Sequence, residues 1–397
     1  MADAEFDIAV VGAGPAGSTS AIAAARQGAR VVLLDQATFP RHKACGCCLG
    51  PKGLAALERI GAMARVEALG APRLSRIELA CGNRRSVFAL PGGVSLSREA
   101  LDPALHDVAR SLGVETRFGE RARVSQPQGA DALAVVEAGD EQVTAALVLA
   151  ADGLAGVSTG KPSADDWARR PGGRVGVSAV LDGYGQAGDA APPLPGVVRM
   201  GVARHGYVGR STLEDGRVVA AAAVDPAALR QGPAEACADI LDFTGAKLEA
   251  EALRSSDVRW CVTPRLTRRR RTVAHGRVWH VGDAVGYVEP FTGEGMTWAL
   301  EQGEAAGALA ARVAMAEDVS IEHTQLRERL WPQELRRVRR GRSWRCAAVA
   351  RVLRRPGLLH AWLGVCNASG AVRRVSGRVV QGRPVEGSRV QAWNQPS

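Results

Sequence analysis

The sequence predicts an α/β fold built on a Rossmann-like domain, with an inserted β-sheet domain of α+β type and a helical cap near the C-terminal end. Three observations predict it. A strand, a glycine-rich turn, a helix and a second strand follow one another within residues 6–34. Strand-like runs dominate residues 76–95 and 171–261. A further strand, loop and helix pattern spans residues 277–309.

Length and composition restrict the class of protein. At 397 residues the chain is longer than a usual single core, which predicts two packed lobes. A hydrophobic content of 46% argues against disorder, and no apolar run approaches the roughly 20 residues that a membrane-spanning helix needs. The short acidic start, Met1 to Glu5, resembles no signal peptide, and eight cysteines suit a reducing compartment. We therefore expect a cytoplasmic enzyme.

The formal charge of +10 does not by itself indicate nucleic-acid binding. The basic residues are nearly all arginine and are spread along the chain, so no nucleic-acid partner is expected. The densest cluster, Arg268 to Arg271, is interpreted as a solvated turn before a strand.

The first strand, Phe6 to Val11, leads into a dinucleotide-binding motif. Its glycines allow a tight turn, close approach of a pyrophosphate, and packing of the helix on the strand. A proline suits the first helical position, and the helix start offers N–H groups to phosphates. Asp35 ends the second strand, where it is placed to accept hydrogen bonds from a ribose. The motif residues are Gly12, Gly14, Pro15, Ala16 and Gly17.

This first motif would bind NAD as well as FAD, and a second motif decides between them. Gly282 and Asp283 follow a strand and precede a loop and a helix. The Asp283 carboxylate can bond a ribitol or pyrophosphate, and the N–H groups at the helix start can face a flavin ring, where reduced flavin carries negative charge. The residues of this loop that we expect at the cofactor are Pro290, Gly293, Gly295 and Met296.

A third element lies between the two motifs. Asp152 and Gly153 follow an apolar strand, and Arg98 begins a helix in the pattern Arg98, Leu101, Asp102, Leu105.

Together these motifs resemble the FAD-dependent oxidoreductases with the p-hydroxybenzoate hydroxylase fold, over most of residues 6–314. The family includes aromatic monooxygenases, geranylgeranyl reductases and flavin halogenases. The resemblance implies an FAD domain of the glutathione reductase type that is interrupted by a sheet-rich substrate domain. It implies an FAD-binding domain of residues 1–75, 96–170 and 262–325, a substrate domain of residues 76–95 and 171–261, and a helical C-terminal region with a flexible tail at 326–397.

Within that family, the segment Phe39-Pro40-Arg41 with Lys43, Cys45, Gly46 and Leu49 is similar to geranylgeranyl reductases, as is Pro290 to Gly295. The resemblance implies that Arg41, Cys45, Gly46 and Asp152 contact FAD and that Arg98 lies near its pyrophosphate. It places Cys45 beside the flavin ring.

The cysteines Cys45, Cys47 and Cys48 follow Arg41, His42 and Lys43, a positive setting that would lower a thiol pKa. A zinc site, a redox disulfide, a thiol beside the flavin, a covalent flavin thioether and buried small residues in a tight loop are the alternatives. No second ligand pair lies at zinc spacing, so no metal is expected. For Cys47 and Cys48 we favour the tight loop.

No histidine lies in a pattern that marks a catalytic base. His205 and Tyr207 are candidates for the catalytic pocket, with Cys45, and Trp298 is a further candidate for its wall. His280, inside a strand, is interpreted as structural.

The residues leave three functions open. A monooxygenase would hydroxylate an aromatic or polyketide-type molecule with molecular oxygen through a flavin C4a-hydroperoxide. An ene-reductase would transfer hydride to a double bond of a prenyl or lipid molecule. A flavin-binding protein without turnover is the third. We favour oxygenation, because the Tyr-x-Trp-x-Phe-Pro segment common in geranylgeranyl reductases is absent; a halogenase lacks support because no Trp-x-Trp-x-Ile-Pro segment occurs.

The expected partners follow from these functions. A small-molecule substrate, aromatic or lipid-like, is expected, and NAD(P)H is the expected transient electron donor, since no separate nicotinamide domain is evident. The basic C-terminal helices, with Trp331, Trp344 and Trp362 at helical spacing, could also contact a membrane surface.

Overall fold

A computed structural model describes residues 4–125, 133–156, 158–160, 166–169, 173–182, 194–255, 257–289, 291, 293–316, 321–340 and 351–369. The strands within these ranges are β1 Phe6–Val11, β2 Val31–Asp35, β3 Cys48–Leu49, β4 Arg76–Cys81, β5 Arg84–Ala89, β6 Val94–Ser95, β7 Glu115–Phe118, β8 Ala122–Ser125, β9 Ala134–Ala138, β10 Glu141–Ala150, β11 Trp167–Arg169, β12 Val175–Leu181, β13 Val197–Ala203, β14 Gly206–Thr212, β15 Val218–Val224, β16 Cys261–Arg265, β17 Arg268–Arg270, β18 Ala274–His275, β19 Val278–His280 and β20 Gly286–Tyr287. The helices are α1 Pro15–Ala25, α2 Pro51–Arg59, α3 Met63–Glu67, α4 Arg98–Ser111, α5 Pro233–Phe243, α6 Lys247–Ser255, α7 Gly295–Ala314, α8 Ile321–Arg339 and α9 Pro356–Ala368. The predicted α/β fold class is confirmed.

The first large sheet has eight strands, six of them in the order β18-β19-β10-β1-β2-β7. β1 pairs with β2 and β10 in parallel, as do β2 with β7 and β10 with β19. Parallel strands need helical crossovers, and α1 provides the crossover between β1 and β2. β8 and β9 lie over the face of this sheet opposite α1. Val124 and Val136 share an apolar cluster there with Ala9 and Val11 of β1. The carboxyl ends of β1, β10 and β19 therefore lie side by side.

The second large sheet has seven strands in the order β16-β12-β15-β14-β13-β4-β5. All its pairs are antiparallel except β13 with β4. Helices α5 and α6 cover one face through Ile240, Leu241 and Leu253. Side chains of the other face, among them Ile77 and Met200, belong to a second apolar cluster. Part of this face borders a cavity.

Helices α1 and α7 pack at very short range because small residues line their contact. A Cβ on Gly303 would overlap the Ala16 carbonyl oxygen, and one on Gly307 would overlap the Ser20 carbonyl oxygen. This contact fixes the start of α7 beside the β1–α1 turn, and so brings the two sequence motifs together.

The C-terminal helices pack on both sheets. Trp331 of α8 stacks on Trp279 of β19 at 6.1 Å and donates its indole N–H to the His280 carbonyl. α8 begins at Ile321, a few residues before the predicted start of the C-terminal region at 326. The predicted flexible tail lies largely outside the described residues. Across the described ranges, no helix is long and apolar enough to cross a membrane.

The arginine cluster at 268–271 differs from its prediction as a solvated turn. Arg268 to Arg270 form β17, which pairs with β11 and β20. Arg270 is buried, and the Arg268 guanidinium lies 4.0 Å from the centre of the Trp167 ring. Charge density along the chain suggested solvation, but cation–π contact with Trp167 lets Arg268 and Arg270 pack inside, whereas Arg269 and Arg271 are exposed as predicted.

Candidate functional site

The turn between β1 and α1 leaves no room for side chains. Gly12 has φ +105°, and a Cβ there would overlap the Ala151 carbonyl oxygen. A Cβ on Gly17 would overlap the Gly12 oxygen, so only glycine lets α1 start directly against β1. Pro15 occupies the first position of α1, and among the described side chains none caps this helix end. Its first-turn N–H groups are therefore available to an anionic ligand.

The Asp35 carboxylate closes the turn from the end of β2. It accepts hydrogen bonds from the Ala13 N–H at 2.7 Å and the Ala37 N–H at 2.9 Å. Arg41 forms an ion pair with it at 3.2 Å and lies over the Phe39 ring at 4.7 Å. The structure thus brings Asp35 and Arg41 together beside the glycine turn, as a ribose-binding position requires.

Arg98 stands against the turn from the start of α4. Its Nε and Nη2 atoms pair with the two oxygens of Asp102 at 2.8 and 2.7 Å, and both side chains are buried. A Cβ on Gly14 would lie 3.1 Å from Arg98 Nη2. His106, two turns further along α4, is 2.8 Å from the Ala13 carbonyl oxygen. α4 therefore holds a fixed positive charge at the turn.

The Gly282–Asp283 motif packs directly on α1. A 3-10 turn, Gly282–Val285, follows β19, and Gly282 has φ +67°. A Cβ on Gly282 would lie 2.6 Å from the Ala16 Cβ, so the turn needs glycine there. Asp283 is consequently held between the carboxyl end of the first sheet and the start of α1.

The loop before α7 lies against the cysteine segment. Gly293 has φ +69°, and a Cβ there would lie 3.1 Å from the Cys48 Cβ. Gly295 is the first residue of α7, and Met296 after it is buried. A Cβ on Gly295 would lie 2.9 Å from the Tyr287 hydroxyl oxygen. Pro290 lies outside the described residues.

Cationic side chains from distant parts of the chain, among them Lys43 and Arg98, lie near Asp283. Burial raises the pKa of Asp283, and the charges of Lys43 and Arg98 partly offset that rise. Burial, with the Arg98 charge, lowers the pKa of Lys43. Lys43 Nζ would lie 3.3 Å from a Cβ on Gly153, which has φ +71°. The Asp152–Gly153 pair therefore borders the same group of charges.

Asp152 turns its carboxylate into its own loop. Its Oδ2 accepts a hydrogen bond from the Ser158 N–H at 2.6 Å. This bond fixes the loop that carries Gly153. Asp152 is therefore next in sequence to the residue that borders the group of charges.

Cys45 has an unusually acidic thiol. The hydrogen bond from the Cys47 thiol lowers the pKa of Cys45 most strongly, burial opposes it, and the Arg98 charge lowers it further, giving a pKa of about 7 against an ordinary 9.0. The Cys47 N–H also lies 3.3 Å from Cys45 Sγ. The residues that lower the pKa of Cys45 are thus Cys47 and Arg98, not the expected Arg41, His42 and Lys43.

The two neighbouring cysteines differ from Cys45. Cys47 is buried with φ +54°, as expected for a tight loop. Cys48 instead borders the cavity described next, and burial raises the pKa of its thiol to about 12. All three are free thiols. In the described part of the chain, no group of three His, Cys, Asp or Glu side chains could hold a metal.

A cavity of about 250 Å³ lies between the cysteine segment, the loop before α7 and the open face of the second sheet. Cys45 and Asp283 both border it. Its apolar wall is formed by Leu74, Ile77, Leu90, Leu154, Val177, Val198, Met200, Tyr207, Leu266, Tyr287 and Phe291. The cavity is also bordered by the charged residues Lys52, Arg210 and Glu294, so it suits a ligand with an apolar body and a polar group.

The three predicted pocket residues other than Cys45 have different positions. Tyr207 borders the cavity and meets Phe291 edge to face at 5.2 Å. His205 is at the β13–β14 turn and is not among the described residues that border this cavity, so its catalytic role stays a prediction. Trp298 is buried in α7, likewise outside that lining.

Comparison with known proteins agrees with this geometry. Residues 5–164 match the family described as an FAD binding domain. Over 366 residues the chain is 28% identical to digeranylgeranylglycerophospholipid reductase 2 of Methanopyrus kandleri, covering 83% of each chain. It superposes on a flavin-dependent brominase with a TM-score of 0.76 and 17% identity, covering 98% of this chain and 96% of the brominase. Residues 5–164 are therefore an FAD-binding domain, and the chain shares its fold with flavin-dependent enzymes such as this brominase.

A shorter and closer similarity joins this flavoprotein to a menaquinone reductase of Mycolicibacterium smegmatis. The two are 58% identical over 55 residues. The matched stretch is 14% of this chain and 13% of that reductase, so the chain covers only a small part of that relative.

Several residues of the flavoprotein's site escaped the sequence analysis. Lys43 and Asp102 were seen only as parts of motifs, and His106 was not singled out. For Lys43 a signal existed, because it is one of four lysines in a chain whose basic residues are otherwise arginine. For Asp102 and His106 the helical spacing from Arg98 was the available signal.

Proposed function

We propose that this flavoprotein is a reductase that adds hydrogen across a carbon–carbon double bond of an apolar, isoprenoid-type small molecule. The observation that carries the proposal is an acidic thiol, Cys45, at the border of an apolar cavity.

The residues present fit FAD. The pyrophosphate would be held by the glycine turn, the start of α1 and Arg98. The adenosine end would be held by Asp35 and Arg41. Asp283 would hold the ribitol, and the backbone from Gly293 to Met296 the ring. The fit rests on the turn at Gly12 and Gly17, where any Cβ would overlap backbone. When bound, FAD supplies hydride or reactive oxygen chemistry.

The cavity lining favours a hydrocarbon substrate. Ile77 of β4, Val177 of β12, and Val198 and Met200 of β13 form much of the wall, together with leucines from loops. Such a surface binds carbon chains through burial of apolar area and shape, at roughly 25 cal/mol per Å² buried. The similarity to a digeranylgeranylglycerophospholipid reductase over most of the chain supports the same substrate class.

Cys45 is the group we propose as proton donor. Reduction of a double bond needs a hydride and a proton, and a thiol with a pKa of about 7 can release a proton from Sγ and regain one near neutral pH. The Arg98 charge stabilises the thiolate left behind, while burial acts against it.

Hydroxylation of an aromatic molecule is the second candidate. One observation favours it: Tyr207 and Phe291 form an edge-to-face pair at the cavity, a surface on which an aromatic ring packs well. In that reaction molecular oxygen would be the second substrate.

One experiment separates the two reactions. The flavin-loaded enzyme, reduced without oxygen by NADPH or by a chemical reductant, is mixed with a prenylated quinone. We expect flavin reoxidation and a product whose prenyl chain, not its quinone ring, has gained two hydrogens, one of them a carbon-bound deuterium when the solvent is deuterium oxide. Reoxidation that occurs only with oxygen, with labelled dioxygen appearing in an aromatic product, would instead establish the hydroxylase. Reduction by NADPH at a useful rate would identify the proposed electron donor.

The Cys45→Ala variant tests the proton donor within that reaction. It should bind FAD normally but reduce the substrate about 10²-fold more slowly or worse, as expected for loss of a general acid. Wild-type turnover in Cys45→Ala would show that the proton comes from elsewhere.

A further inference from the structure

Helix α9 has an apolar surface on two opposite sides. Its inner side, with Leu359, Leu363 and Cys366, packs on the β4–β5 hairpin beside the cavity wall. Its outer side carries Leu358, Ala361, Val365 and Ala368, all exposed and spaced at three and four residues. Leu358 and Val365 are 55% and 52% exposed. A helix that is apolar all round is normally buried on all sides.

Polar contacts fix α9 in this position. Arg84 donates to the His360 carbonyl at 2.9 Å, and His360 lies 2.9 Å from the Asn83 side-chain oxygen. Asn367 donates to the Arg85 carbonyl at 2.9 Å, and Trp362 stacks on Phe88 at 5.4 Å. The outer side is thus presented rigidly.

Positive charge lies beside this exposed surface. Arg351 and Arg355, just before α9, are exposed. Residues 341–397 contain ten arginines and one acidic residue, Glu386. An apolar stripe edged by arginine matches the surface of an anionic bilayer, where the apolar side chains enter the acyl boundary and the guanidinium groups contact phosphates.

We propose that the outer side of α9 docks on an anionic lipid membrane, with Leu358 and Val365 inserted. At 13 residues α9 is too short to span a bilayer and would lie in its plane. The docking surface adjoins the wall of the apolar cavity, because Leu359 and Leu363 share one cluster with Ile77 and Met200. Docking of α9 on a membrane does not depend on which of the two proposed reactions the protein catalyses.

Co-sedimentation of the flavin-loaded full-length protein with phosphatidylglycerol vesicles tests the proposal, with phosphatidylcholine vesicles as the neutral comparison. We expect binding to the anionic vesicles that weakens as sodium chloride is raised. The double variant L358S/V365S should bind at least tenfold more weakly, because burial of each aliphatic side chain strengthens binding by about that factor.

The matched control is L248S/V262S, which removes a leucine and a valine of 52% and 57% exposure elsewhere on the surface. It should bind like the wild type. Ala361→Asp, which places an acid in the middle of the outer side, should also abolish binding while retaining FAD absorbance. No binding of the wild type to anionic vesicles would overturn the proposal, as would equal binding by L358S/V365S. A dimer in size-exclusion chromatography that L358S/V365S dissociates would show that a second copy, not lipid, covers the helix.

Discussion

Arg174 and Glu289 form an ion pair of 3.2 Å in which each side chain is only 1% exposed. The same Glu289 carboxylate accepts a hydrogen bond from Arg354 at 3.3 Å, and the Arg174 guanidinium lies 5.7 Å from the centre of the Tyr207 ring. One carboxylate therefore links the second sheet, the chain just before Phe291 and the C-terminal region. Since Tyr207 and Phe291 border the cavity, this network sets part of its shape.

Glu289→Gln should destabilise the fold strongly. It leaves the buried Arg174 charge without its main partner, and breaking a buried pair costs about 3–5 kcal/mol. Denaturant unfolding of the flavin-loaded protein measures the change. Glu235→Gln, which breaks the exposed pair between Glu235 and Arg254, serves as the control and should cost under about 1 kcal/mol. Equal losses in the two variants would contradict the role given to burial.

Cys45 should react with iodoacetamide at a rate that rises through a pH of about 7. The thiolate is the nucleophile, and the hydrogen bond from Cys47 favours it, so Cys47→Ala should move the midpoint to higher pH. Mass spectrometry of labelled peptides measures both. Cys48, with a pKa of about 12, should remain unlabelled over the same range. A wild-type midpoint near the ordinary 9.0 would refute the assignment.

Gly14→Ala should weaken FAD binding without unfolding the protein. Gly14 has an extended backbone, φ −79°, that alanine adopts freely, but its Cβ would lie 3.1 Å from Arg98 Nη2, where the pyrophosphate is expected. We expect the FAD dissociation constant, measured by flavin fluorescence, to rise about tenfold or more, a cost of roughly 1.4 kcal/mol.

Gly50→Ala is a close match as the control for Gly14→Ala. Gly50 also precedes a proline at a helix start, with φ −80°, and a Cβ there would meet nothing within 4 Å. Its affinity for FAD should be unchanged. If both variants bind FAD equally, the cofactor does not pass close to Gly14.

Asp283→Ala should release FAD during gel filtration. The substitution removes the carboxylate expected to bond the ribitol and leaves Asp102 as the nearby negative charge for Lys43 and Arg98. The ratio of flavin to protein absorbance measures retention. Asp257→Ala, at an exposed position, should retain the wild-type ratio. Full flavin occupancy in Asp283→Ala would contradict the predicted role.

Local sequence patterns were sufficient for the first motif and its elements. The run from Phe6 to Val11, the three glycines and Asp35 predicted β1, α1 and β2, because each depends on neighbours within about 30 residues. The two strands at 76–90 with a turn at Gly82 were predicted for the same reason. The start of α4 at Arg98 was predicted as well, from the helical spacing of Arg98, Leu101, Asp102 and Leu105.

Contacts between distant segments lay outside what those patterns could predict. The burial of Arg270, the absence of His205 from the cavity lining and the pairing of Arg174 with Glu289 all depend on which strands become neighbours. A single sequence carries no direct record of such pairings. Its charge pattern therefore misplaced Arg268 and Arg270 of β17.

By itself the sequence determined that this chain binds a dinucleotide through a glycine turn, and its second motif pointed to FAD. Only the tertiary structure brought Cys45, Lys43, Arg98 and Asp283 to one place and gave Cys45 its acidic thiol. The physical reason is that backbone turns are set by steric limits of adjacent residues, whereas a pKa is set by burial and by charges that folding brings near.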